Sequence, residues 1–87
     1  MPKSTPPVAR RVSVGRIVHV WAYEGARMVP NAAIVVAVAD DGRRIFVEVF
    51  WASGFGGRER IWASCAPFAE DGTHIPTDGH WTWPVSV

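Results

Sequence analysis

Two apolar runs, "AAIVVAVA" over residues 32–39 and "RIFVEVFW" over residues 44–51, stand on either side of Asp41-Gly42. Valine and isoleucine branch at Cβ, lose side-chain freedom in a helix and pack well on a pleated surface. Asp-Gly accepts the positive φ angles of a tight primed turn, so the stretch predicts a β-hairpin. In the second run Ile45, Val47, Val49 and Trp51 fall on one face, with Phe46, Glu48 and Phe50 on the other. Placing Glu48 outward sends the first set into a core and leaves Phe46 and Phe50 facing away from it.

The rest of the chain reads the same way. "VSVGRIVHVWAY" from Val12 predicts a strand that ends in a loop, "EGARMVPN", marked by Gly25, Pro30 and Asn31. "ASGFGGRE" (52–59) predicts a glycine-rich loop, "RIWASCA" (60–66) a short strand, and "PFAEDGTHIPTDG" (67–79) a long irregular connection. A last strand, "HWTWPVSV", follows. Pro30 and the valine cluster argue against a helix over 26–39. Five short strands predict an all-β fold, a small antiparallel barrel or curled sheet: SH3-like as first choice, OB-like as second.

A chain of 87 residues has room for one small domain with a thin core. Residues 1–11, with three prolines and three basic side chains, predict a flexible basic arm, and residues 12–87 the domain. Lys3, Arg10, Arg11 and Arg16 precede any acid, whereas the remainder carries five basic and eight acidic residues. A single cysteine excludes an intrachain disulfide and fits a reducing compartment. No apolar run reaches the length of about 18 residues that marks a membrane span, and the first residues lack the hydrophobic stretch of a signal peptide. A cytoplasmic location is the expectation.

Five tryptophans are many for such a domain. In "GHWTWP" (79–84), Trp81 and Trp83 point to one side of a strand, while His80 and Thr82 point to the other. Two indoles in this arrangement either close one end of a barrel or form a stacking platform for a planar ligand. Along the first strand Ile17, His19, Trp21 and Tyr23 share a face, and Val14, Arg16, Val18 and Val20 share its opposite. Both faces of two strands are therefore apolar. A second covered surface, and with it a homo-oligomer, is the expectation.

Other constellations carry less chemistry. "GFGGR" (54–58) lacks the lysine, hydroxyl residue and helix of a phosphate loop, although glycine amides beside Arg58 and Arg60 suit an anion. His19, His74, His80, Cys65, Asp71 and Asp78 match no zinc spacing, so no metal and no cofactor is expected. Cys65 lies in an apolar strand, where a small buried side chain is commoner than a reactive thiolate. Glu70-Asp71 beside Gly72 reads as a solvated turn. The basic arm gives nucleic acid only a sequence-independent attraction that the acidic body opposes. Trp62, between Arg60 and Ser64, keeps single strands in view.

"VGRIVHV" (14–20) together with "GHWTWPVSV" (79–87) resembles a group of small uncharacterised proteins of phages, prophages and actinobacterial genomes. These start on a VGRIVHY-like strand and finish on a GTWHWPE-like one. Here Val20 replaces the usual aromatic, and His80-Trp81-Thr82-Trp83 departs from the Trp-His-Trp order. The resemblance covers the two ends and implies an origin, not a mechanism. A phage origin implies action by binding.

The sequence thus predicts a non-enzymatic binding module. Trp81, Trp83, Trp21 and His80 would contact a small planar or nucleotide-like ligand at a subunit junction, and Arg16, Arg58 and Arg60 would pair with its anion. A protein-interaction module, such as an inhibitor of a host protein, is the alternative. Nucleic acid ranks below both, and no membrane contact is expected.

Overall fold

Strand formation follows the β-branched runs closely. In the computed structural model, which describes residues 12–51 and 57–84, five strands form among the described residues. They are β1 (Ile17–Glu24), β2 (Arg27–Val38), β3 (Arg44–Phe50), β4 (Arg58–Ser64) and β5 (Trp81–Thr82). All pair antiparallel in one sheet of order β4-β3-β2-β1-β5. A four-strand meander therefore has its last strand returned beside its first, an order compatible with an SH3-like arrangement.

The sheet curls without closing into a barrel. Where β4 ends, Cys65 forms an isolated parallel bridge with Trp81. There the Ala66 amide donates to the Trp81 carbonyl at 2.9 Å. One bridge thus joins the two edges of the sheet at one corner, in place of a continuous ladder. The predicted arm, residues 1–11, lies outside the described residues.

Side chains alternate across the sheet as the pleat requires. Val18 and Val20 from β1, Ala33 and Val35 from β2, Ile45, Val47 and Val49 from β3, and Ala63 from β4 fill the concave inner side. Val12, Trp81 and Trp83 complete this core, with Trp51 and Ile61 packed against it in part. Asn31 is the buried polar side chain of this face; its Nδ2 donates to the Val20 carbonyl at 3.0 Å.

Several boundaries differ from expectation, each for a local reason. The first strand begins at Ile17, not Val12, because Ser13 to Arg16 make a turn closed by Arg16 N–H on the Ser13 carbonyl. The expected loop at 24–31 shrinks to Gly25-Ala26, with Gly25 at φ +66° as a II′ turn demands. β2 then runs straight through Pro30. Opposite it, Trp21 directs its own N–H to the His80 carbonyl and its carbonyl to the Gly79 N–H. Trp21 and Pro30 therefore form a non-hydrogen-bonded pair, where a missing N–H is not needed. The pairing of β2 with β3 starts only at Ala33, so no strand is deprived on the far side either.

At Asp41-Gly42 the hairpin is present but the tight primed turn is not. Ala39 and Arg44 bracket a four-residue loop, Gly42 N–H donates to the Ala39 carbonyl, and only Gly42 has positive φ. The Asp41 carboxylate instead accepts from the amides of Arg43 and Arg44 at 2.8 and 3.1 Å. β4 starts at Arg58, so the glycine-rich loop is shorter than read, and its residues 52–56 lie outside the described set. Among the described residues β5 covers Trp81–Thr82, and residues 85–87 of the predicted last strand lie outside the described set.

Candidate functional site

The pleat divides the expected site residues between two faces. Trp81 pairs with Val20 and points inward; it is 2% exposed, and Trp83 is 8% exposed. The indoles meet edge to face, centroids 5.5 Å apart at 89°. Trp81 Nε1–H donates to the Arg43 carbonyl at 2.7 Å. The platform expected of Trp81 and Trp83 is therefore corrected. Both close the core, whose other fully buried side chains are mostly valine and alanine. Arg16 is exposed and places its guanidinium 5.6 Å from the Trp83 ring centroid. His80 is half-buried at the turn leading into β5, its Nδ1 3.0 Å from the Asp78 carbonyl oxygen.

Trp21, Arg58 and Arg60 lie on the outer face, away from those indoles. Trp21 is half-buried and anchored by Nε1–H donating to Thr82 Oγ1 at 2.8 Å. Arg58 and Arg60 flank Glu48 across β3–β4, at 3.5 and 3.0 Å. Both guanidinium-bearing side chains remain mostly in solvent, so these pairs contribute little to stability. An open recess of about 320 Å³ beside them is lined by Glu48, Arg58, Glu59 and Arg60.

The outer face gathers most of the rings that the core does not use. Phe46 on β3 stands opposite Trp62 on β4, ring centroids 5.1 Å apart. Arg44 lies over Trp62, 5.2 Å from its centroid, and still Trp62 is 51% exposed. Phe50, Ile34, Val36, Ile17 and Tyr23 are exposed on the same side. Register links Ile17 to Ile34, Ile34 to Glu48, and Glu48 to Arg60 in one row across four strands. Glu48 is the only acid that the β1–β4 registers put on this face, against Arg44, Arg58 and Arg60. Alternation in "RIFVEVF" placed Phe46 and Phe50 outward from sequence alone. Trp62 and Arg44 as the centre of the cluster needed the β3–β4 register, which no local pattern supplies.

The shifted titratable groups sit at strand ends and in loops. Burial pushes the Cys65 thiol up from its ordinary value, only partly opposed by Arg43, which disfavours the thiolate. No group of three His, Cys, Asp or Glu among the described residues is placed to hold a metal ion. Asp41 is held low by the amides of Arg43 and Arg44, and Asp71 by the hydroxyl and amide of Thr73. These are loop-stabilising carboxylates. No helix of the described residues is long and apolar enough to cross a membrane.

His74 is different. Its ring packs on Phe68 at 4.2 Å and faces Trp81 at 6.2 Å, and neither buried ring nitrogen has a hydrogen-bond partner. Burial lowers its pKa from 6.5, with the nearby Ala66 backbone offsetting this in part. A folded pKa below the unfolded one means the unfolded chain binds the extra proton first. The contribution is fully present above the unfolded value of 6.5 and is lost as pH falls through the lower folded value. Urea titrations are expected to show stability falling from pH 7 to pH 5, ahead of the carboxylate range, and His74→Phe is expected to flatten that slope. An unchanged slope in the variant would remove His74 from the account.

Comparison with family models, curated proteins and solved structures finds no match to this chain. The functional reading therefore rests on the residues themselves.

Proposed function

We propose that this protein is a small non-enzymatic binding module whose contact surface is the outer face of the β1–β4 sheet, centred on Trp62. The observation that carries the reading is the half-exposed Trp62 indole, backed by Phe46 and Arg44 on a face whose one acid is already paired. Packing alone gives no reason for a large aromatic there, since the core lies on the other side. A raised thiol pKa at Cys65 and dispersed histidines favour binding over catalysis. The base-plus-phosphate chemistry of the nucleotide-like ligand expected from sequence keeps its arginines Arg58 and Arg60 in this reading, but its stacking surface moves from Trp81 and Trp83 to Trp62.

Docking of a protein, including a second copy of the chain at a subunit junction, is the other reading. The Ile17–Ile34 pair and Val36 favour it, because aliphatic side chains stack poorly on planar ligands but suit an interface core. Phage origin belongs to the same proposal and is supported by the resemblance at the two ends of the chain. A cytoplasmic site of action goes with it.

Native mass spectrometry of gently purified protein tests the surface. The wild type is expected to carry added mass, whether ligand or second subunit, and Trp62→Ala is expected to shed it with an unchanged far-ultraviolet spectrum. Added mass that survives Trp62→Ala would place the contact elsewhere.

A further inference from the structure

We propose that the outer sheet face holds single-stranded nucleic acid, with unpaired bases stacked on its rings and phosphates taken by its arginines. The inference rests on the reading of this face as the contact surface and names its occupant.

Three observations converge on that chemistry. First, six ring side chains share the outer side of β1, β3 and β4: His19, Trp21, Tyr23, Phe46, Phe50 and Trp62. The β1–β2 and β3–β4 registers spread them across the sheet instead of gathering them into one pocket. Tyr23, Phe50 and Trp62 are exposed and the other three half-buried, and exposed rings on a sheet offer flat, sequence-tolerant surfaces for unpaired bases. Second, the cations are interleaved with the rings. Arg58, Arg60 and Trp62 are successive outer residues of edge strand β4, about 6.8 Å apart at two-residue spacing. Arg44 adds a guanidinium at the end of the Phe46–Trp62 row. Third, the acids that make the body acidic lie mostly off this face. Asp40 and Asp41 are in the β2–β3 loop, and Glu70, Asp71 and Asp78 are in the connection to β5. Glu24 and Glu59 have the opposite strand parity, although Glu59 reaches the recess beside Arg58 and Arg60, and Glu48 stays on the face, held by both arginines. The local field therefore favours a polyanion even though the domain as a whole does not.

The same geometry selects a strand over related ligands. A duplex hides the faces of its bases, which are what exposed rings would stack on. A free nucleotide carries the same base-plus-phosphate chemistry but needs a site that encloses it. The recess beside Arg58 and Arg60 is open and lined by charged side chains alone. A strand gains from rings spread over a surface, since each base finds its own partner.

The test is anisotropy of a fluorescein-labelled oligodeoxythymidylate of about 12 nucleotides. Saturable binding to the full chain is expected, with Trp62→Ala weakening it about 5- to 150-fold and Trp62→Phe keeping most of it. Arg58→Gln and Arg60→Gln are each expected to lower the salt slope by about one. Thymidine monophosphate and the matching duplex are expected not to compete at equal nucleotide concentration. Competition by the monophosphate would assign the face to a free nucleotide and overturn the strand. Binding unaffected by Trp62→Ala would also overturn it, leaving only non-specific attraction to basic residues. If no oligonucleotide binds while Trp62→Ala still sheds added mass in native mass spectrometry, the ligand class is wrong and the contact surface stands. If Trp62→Ala changes neither readout, the contact surface itself is lost.

Discussion

Trp81→Ala is expected to lower the free energy of unfolding by about 3–5 kcal/mol. Domains of this size have only about 5–15 kcal/mol in total, so the variant should lose a large share of its margin. The indole is 2% exposed and supports three elements at once. Its ring packs edge to face on Trp83, its Nε1–H holds the Arg43 carbonyl in the β2–β3 loop, and its backbone carbonyl takes the Ala66 amide after β4. Truncation leaves a cavity where the two edges of the sheet meet. The Arg43 carbonyl keeps the Cys65 amide as a partner, so the loss is mainly one of packing. Trp81→Phe restores most of the volume without the donor and is expected to cost about 1–2 kcal/mol. Urea denaturation followed by far-ultraviolet circular dichroism separates these values, because it does not depend on the indole removed. A cost below about 1 kcal/mol for Trp81→Ala would mean that this side chain does not close the core.

Which parts of this architecture the sequence revealed depends on the range of the interactions involved. The β3 alternation of Ile45, Val47 and Val49 against Phe46, Glu48 and Phe50 is a property of one strand, and its burial matches the pattern. The Asp41-Gly42 hairpin was also legible, although not its loop geometry, because an Asp carboxylate turning back to two amides competes with the primed turn. Pro30 misled for a different reason. Whether a strand tolerates proline depends on which neighbour its N–H would face, and that is decided by β5 and β3, both distant in sequence. Trp81 and Trp83 carried the same ambiguity: same-side indoles fit a plug or a platform equally well. Only the closure of the β4 end onto β5 decides between them. Arg58 and Arg60 were expected near those indoles, but strand parity puts them on the opposite side of the sheet, with Glu48.

An alternating alanine series along β3 is expected to split stability from binding, residue by residue. Ile45 has no exposed surface and lies against Val38 and Ala63, so Ile45→Ala should cost about 2–5 kcal/mol. Its neighbour Phe46 is half-buried and touches Trp62 on the outer side, so Phe46→Ala should lose that ring pair, about 0.5–1.5 kcal/mol, plus the partial burial of the ring, and still cost less than Ile45→Ala. Val47→Ala and Val49→Ala should follow Ile45 in direction, and Phe50→Ala should follow Phe46. Binding at the outer face is expected to run the other way, weakened by the two phenylalanine changes and unaffected by Val49→Ala wherever the protein remains folded. Urea midpoints and ligand titrations on the same five variants measure both. The inner residues are surrounded in the free protein, whereas the outer rings lack part of the neighbourhood that their size calls for. If Phe46→Ala proves as costly as Ile45→Ala, both faces of β3 serve packing. The outer rings would then have no surplus surface to give to a partner, and the binding module would lose its physical basis.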